Sequence, residues 1–254
     1  MINITLNKID TLDSKMDEAF KQLRTNLIFC GEDVKKILVT SCVANEGKSE
    51  VSFNLARSLA EAGNRVMLVD CDIRRSVMRS RFQIEEKVNG LSHYLAGRSA
   101  LNDILCQTNI QNLYMILAGT SVPNPAELLG SKRFPAMMES LKTVFDYIIL
   151  DSPPLGVVID AAIIAPNADG AVLVIESNAV SYKVAQNVKA QLDKSECRIL
   201  GAVINKAERS DKKSKYGRYY GYYGGYGAYG GYGGYIGDDE SSDQKKKTKT
   251  QNKA

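Results

Sequence analysis

Lys48 and Ser49, placed directly after Gly47 in KILVTSCVANEGKS (36–49), have the types and spacing that hold a phosphate group. The stretch reads as a buried strand from Lys36 to Thr40, then a loop, then a helix whose apolar residues Val51, Leu55 and Leu59 recur at helical spacing. Such a junction leaves the first backbone N–H groups of the helix without intrahelical partners, and the helix dipole adds positive charge there, so an anion fits above the strand. Lys48 can then reach the β- and γ-phosphates of a nucleotide, and the Ser49 hydroxyl can hold Mg²⁺. The match to G-x-x-x-x-G-K-[ST] is imperfect. Cys42 stands in the place of the first glycine, and Asn45 where a second glycine often helps the loop turn. Asn tolerates positive φ, so the loop can still close. A chance E-G-K-S tetrapeptide in a solvated turn is the alternative.

Two further stretches supply carboxylates. Arg65 to Val69 reads as a second buried strand, and it ends in Asp70 and Asp72, two residues apart. In an open parallel sheet, ligands bind beyond the carboxyl ends of the strands, so both acids should lie beside the phosphate loop. Buried carboxylates need a partner. A metal ion is one candidate, and a salt-bridged turn with Arg74 and Arg75 is the other. A third strand, Tyr147 to Leu150, delivers Asp151, and apolar residues ending in Asp form the second half of a nucleotide-hydrolase signature.

The elements that must position these groups alternate. Helical spacing covers residues 14–29, the helix from Ser49 to a left-handed cap near Gly63, a helix from about Lys132 to Phe145, and one from Ser181 to Asp193. Strands are expected at Leu113 to Leu117, Ala171 to Glu176 and Ile199 to Ile204. Short helical pieces fall in 89–105, and 118–131 is a turn-rich loop leading into a short helix. Strands and helices of these lengths predict an α/β fold, a doubly wound, mostly parallel sheet covered on both faces, within one domain over 1–207.

The composition narrows the function. Of the 254 residues, 44% are hydrophobic and 24% charged, enough for one full core plus an appendage. The formal charge of +4 belongs to residues 208–254, where ten lysines and arginines meet six acids, leaving the rest neutral. No nucleic acid is expected as a partner. The five cysteines, at 30, 42, 71, 106 and 197, form no C-x-x-C pair. They suggest neither a disulfide framework nor a zinc site, and Cys42 and Cys71 read as small buried thiols rather than redox switches. The amino-terminal residues lack the basic start and apolar stretch of a secretory signal, so the cytoplasm is the expected compartment. Residues 208–254 read as a disordered tail, with nine tyrosines among glycines in 216–235: Tyr216, Tyr219, Tyr220, Tyr222, Tyr223, Tyr226, Tyr229, Tyr232 and Tyr235.

EGKS (46–49), VMLVDCDIRR (66–75), IILDSPP (148–154), PNPAELL (123–129) and the tyrosine-rich end together resemble the bacterial tyrosine kinases of capsule and exopolysaccharide synthesis, over nearly the whole chain. The first three resemble that family's P-loop NTPase motifs, Walker A, its second acidic motif, and Walker B. The resemblance implies ATP and Mg²⁺ as cofactors, with Asn45, Glu46, Gly47, Lys48, Ser49 and Glu50 around the phosphates and Asn205 at the adenine. It implies Ser49, Asp72 and Asp151 around the metal, and Asp70 as the group that accepts the tyrosine proton, although Asp70 and Asp72 could exchange roles. Glu18, Lys21 and Arg24 are similar to an oligomerisation motif, E-x-x-R-x-x-R, with lysine for its first arginine, on the helix over 14–29. The implied partners are further copies in a ring, a membrane-anchored adaptor of the polysaccharide co-polymerase type, and a cognate tyrosine phosphatase. The implied substrate is the chain's own tyrosine cluster, phosphorylated in trans at the inner face of the cell membrane. Each phosphotyrosine adds about −1.5 to −2 charges, so a phosphorylated tail would be expected to leave the acidic site and loosen the ring.

Glu50 departs from the family, which usually has threonine there, and a carboxylate suits a helix N-terminus but repels phosphate. Two other functions fit parts of the sequence. One is a partition or septum-site ATPase switch, although such proteins carry an additional lysine where this chain has Val43. The other is a catalytically weak scaffold with an adhesive Gly-Tyr tail.

Overall fold

Ile37, Leu38 and Val39 are all fully buried, as happens when both faces of a strand are covered. The protein is described by a computed structural model over residues 1–207. The tail 208–254, with its tyrosine cluster, lies outside the described residues. The strands are β1 (Ile2–Asn3), β2 (Lys36–Ser41), β3 (Val66–Asp70), β4 (Cys106–Gln107), β5 (Leu113–Ile116), β6 (Tyr147–Asp151), β7 (Gly170–Glu176) and β8 (Ile199–Asn205). The α-helices are α1 (Ser14–Ile28), α2 (Lys48–Glu61), α3 (Met78–Arg81), α4 (Leu91–Leu95), α5 (Pro125–Leu129), α6 (Arg133–Lys142), α7 (Asp160–Ile164) and α8 (Tyr182–Lys194).

The strands form one sheet in the order β1-β4-β5-β3-β6-β2-β7-β8. All pairings are parallel except β4 with β5. Alternation along each strand divides the core in two. Ile37, Val39, Val66, Leu68 and Ile149 face α1 and α2, meeting Phe20, Leu27, Val51, Leu55 and Leu59. Leu38, Met67, Val69, Ile148 and Leu150 meet Phe134, Met137, Leu141, Ile164, Val188 and Leu192 on the opposite side. This is the doubly wound α/β arrangement that the periodicity predicts.

Local chemistry sets the element ends. The Asp13 side chain accepts from the Met16 N–H at the start of α1, and Ser181 accepts from the Val184 N–H at the start of α8. The elements that local patterning did not indicate are β1, β4, α3 and α7, each of two to five residues. A two-residue strand exists only because its partner is present, as β1 beside β4 illustrates, so no local periodicity marks it. Among the described residues, no helix is long and apolar enough to cross a membrane.

Candidate active site

The register of the sheet brings the acids together. Asp70 and Asp151 are directly paired residues at the ends of β3 and β6, so parallel pleating holds their side chains at the same level. Both are 1% exposed. The Ser76 hydroxyl donates to Asp70 Oδ2, and the Asp72 N–H donates to its Oδ1 at 3.2 Å. Burial, and then the charge of Asp151, push the Asp70 carboxyl up to about 8. Burial raises Asp151 to about 6, while the Ser49 hydroxyl, the Lys48 ammonium and Ser52 hold it down. Ser52, one helical turn after Lys48, donates to Asp151 Oδ1 at 2.9 Å. Asp72 is half-buried, and its Oδ1 accepts from the Arg75 N–H at 2.9 Å.

Lys48, Ser49, Asp70, Asp72 and Asp151 line one open cleft of ≈ 760 Å³. Asn45, Gly47 and Glu50 line it too, and so do Arg74, Arg75, Ser76 and Arg81. Arg74 does not neutralise Asp70 or Asp72 as a salt-bridged turn would require. Its Nε donates to both oxygens of Asp160, at 3.1 and 3.0 Å, and Asp160 is fully buried. Among the described residues no lysine or arginine forms an ion pair with Asp70, Asp72 or Asp151, and Lys48 is the cation whose charge reaches Asp151. This arrangement fits a cation such as Mg²⁺, which keeps waters and takes phosphate oxygens alongside one or two carboxylates. Among the described residues, no group of three or more His, Cys, Asp or Glu side chains forms a metal cage by itself.

The phosphate loop closes as its residue types allow. Asn45 has φ 68° and Gly47, the N-cap of α2, has φ 85°. A Cβ on Gly47 would lie 2.1 Å from Asn205 Nδ2. Gly156 lies so close to the start of the loop that a Cβ there would stand 2.1 Å from the Cys42 carbonyl oxygen. Burial raises the Cys42 thiol to about 11 and pushes Cys71 well above its ordinary value, which keeps both in the unreactive thiol form.

Two residues expected at the nucleotide have their side chains engaged in bracing the loop. Glu46 is fully buried, accepting from the Val43 N–H at 2.6 Å and from the Glu176 N–H at 3.1 Å, which ties the loop to the end of β7. Asn205 donates to the Glu46 carbonyl at 2.9 Å from the end of β8. On α1, Arg24 donates to the Ser58 carbonyl at 2.7 Å and so joins α1 to α2, while Lys21 pairs with Asp17 at 2.7 Å and Glu18 is exposed.

Sequence reasoning missed Ser52, Ser76, Asp160 and Arg81. Ser52 carried a signal, being a polar residue on the buried stripe of α2. Asp160 carried none, because its partner Arg74 is 86 residues away.

Residues 34–199 match the family described as an AAA domain. Tyrosine-protein kinase CpsD of Streptococcus agalactiae is 40% identical over 211 residues, 81% of this chain and 92% of that protein. Among solved structures, the kinase domain of the Escherichia coli tyrosine kinase ETK has a TM-score of 0.70 at 31% identity, covering 76% of this chain and 78% of that one. The septum site-determining protein MinD of Pyrococcus horikoshii OT3, complexed with Mg-ADP, has a TM-score of 0.61 at 26% identity, covering 70% of this chain and 72% of that one.

Proposed function

The chain belongs to the bacterial tyrosine kinases, and from that premise we propose that it phosphorylates its own tyrosine cluster, residues 216–235, on a neighbouring copy. It is a tyrosine-protein kinase of P-loop fold, and nucleotide binding follows from that fold. The observation that carries the proposal is the side-by-side burial of Asp70 and Asp151 in the cleft that also holds Lys48.

Each residue has a role in the transfer. Lys48 and the N–H groups opening α2 neutralise and orient the β- and γ-phosphates of ATP. The tyrosine oxygen bonds to the γ-phosphorus as the bond from that phosphorus to the β–γ bridging oxygen breaks, and ADP leaves with the electron pair. The phenolic proton passes to Asp70. Phenol has a pKa of about 10, so it is mostly protonated at neutral pH and gains nucleophilicity when a carboxylate takes the proton. Burial raises the proton affinity of the Asp70 carboxylate, which suits it to take that proton. Ser76 and the Asp72 N–H fix the Asp70 carboxylate. Mg²⁺, when bound, would neutralise the phosphate oxygens, held by Ser49, Asp72 and Asp151.

Our assignment extends to the setting. The kinase acts in capsule or exopolysaccharide synthesis, in the cytoplasm at the inner face of the membrane. A membrane-anchored adaptor of the co-polymerase type recruits it, and a tyrosine phosphatase reverses its action. This setting is what the resemblance to the capsule and exopolysaccharide kinases implies. Self-association through α1 is supported by the helix's exposed end, where Phe29 is 80% and Ile28 47% exposed, and by the exposed Glu18 and Lys21.

Incubating the full chain with ATP and Mg²⁺, with and without an adaptor peptide, and mapping phosphate by mass spectrometry tests the proposal. Phosphate on the cluster tyrosines is the expected result. Release of free phosphate alone would instead favour a nucleotide switch, the reading that the MinD likeness supports. Neither product would leave a scaffold.

A further inference from the structure

Glu50 is the third residue of α2, beside the groups assigned to the phosphates, and a lone carboxylate there would repel a nucleotide. The structure supplies it with a partner from 31 residues downstream. Arg81, the last residue of α3, places NH2 3.3 Å from Glu50 Oε2 and 3.6 Å from Asp10 Oδ2. Both Arg81 and Glu50 line the cleft that holds Lys48 and Ser49. The two carboxylates hold one nitrogen of the guanidinium. Among the described residues no hydrogen bond fixes the Arg81 side chain.

A guanidinium is a rigid planar fork with five donors, suited to phosphate oxygens in a way that a point charge is not. Approached by two carboxylates, unfixed by any hydrogen bond among the described residues and lining the cleft, it has donors to offer a ligand there. We propose that Arg81 is a further phosphate-binding residue of this kinase, contacting the phosphate chain of the bound nucleotide while Glu50 and Asp10 hold its guanidinium at the first turn of α2. This inference rests on the nucleotide reading of the cleft. It also gives the departure at Glu50 a physical role. The acidic side chain replaces a direct hydroxyl contact with a carboxylate that delivers an arginine.

The rival is that Arg81 merely neutralises Glu50 and never touches a ligand. A double-mutant cycle on the full chain separates the two, with ADP affinity measured by calorimetry at several salt concentrations for wild type, Arg81→Ala, Glu50→Thr and the double variant. Arg81→Ala is expected to weaken ADP binding by about tenfold or more, the scale of one hydrogen bond to a charged group. Glu50→Thr removes a repulsion and also one of the two carboxylates that place Arg81, leaving Asp10, so it is expected to change ADP affinity less than Arg81→Ala does. The deciding comparison is Arg81→Ala in the Glu50→Thr background. A further loss of about tenfold, with a shallower salt dependence, supports the contact. Equal affinities in that background would reduce Arg81 to a counter-ion and overturn the proposal. Arg81→Lys, which keeps the charge without the fork, should fall between, and Arg81→Gln replaces Arg81→Ala if the latter melts differently from wild type. A wild-type chain that binds no ADP overturns the premise itself, an outcome distinct from an Arg81 substitution without effect.

Discussion

The centre of the sheet and its β8 edge are built to opposite rules. Every residue of β3 is buried, and so is all of β2 except Lys36, yet β3 and β6 both end in fully buried acids that repel each other. Along β8 no residue is fully buried, Ile204 is 53% exposed, and the outer side of the strand has no neighbour among the described residues. Like charges can be held together only by a scaffold that will not relax, and the fully covered centre of the sheet supplies one. An edge needs no such rigidity and instead presents unpaired main chain and apolar surface, which suits contact with another molecule. The difference teaches that stability is given up for chemistry at the centre, whereas the edge and the neighbouring end of α1 leave area uncovered.

The strongest test of this division is Lys48→Met. It should lower phosphoryl transfer to the tail by about 10³-fold or more, while sedimentation shows unchanged self-association. Loss of association together with activity would mean that the two regions are not independent. Next comes Asp70→Asn. The raised carboxylates make the folded state bind protons more tightly than the unfolded chain, so their stabilising contribution is complete at low pH and is lost as pH rises through about 6 and about 8. Without nucleotide or Mg²⁺, wild type should therefore melt at lower temperature at pH 8.5 than at pH 6. Asp70→Asn should flatten that slope and add about 1–3 kcal/mol at the higher pH, even as tail labelling falls at least about 10²-fold. Scanning fluorimetry across pH checks this, and identical slopes for the two proteins would show that the centre stores no such strain. The smallest effect sharpens the other side of the comparison. Phe29→Ser should weaken self-association by about tenfold, as loss of an exposed aromatic anchor does, and leave ADP affinity unaltered. Analytical ultracentrifugation that failed to distinguish it from wild type would assign the contact to another surface.

Much of this was legible locally. KILVTS and YIILD are continuous apolar runs of strand length, so β2 and β6 could be read directly, and Asn45 and Gly47 marked where the loop must turn with positive φ. The bracing role of the Glu46 side chain was not legible, because its two backbone N–H partners lie in the loop and at the end of β7. Nor can a helix pattern say that the Arg24 guanidinium reaches the Ser58 carbonyl of a second helix.

Residue types and spacing determined that this chain makes alternating strands and helices, that a phosphate loop opens α2, and that Asp70 and Asp151 terminate strands, because propensity, periodicity and turn chemistry act over a few residues. Only the tertiary structure decided that those two acids are register partners, that Glu46 braces the loop, that Gly156 packs against the Cys42 carbonyl, and that Arg81 comes to Glu50. Each of these joins positions far apart in the chain, and such pairings are selected by the packing of the whole sheet, which no local stretch encodes.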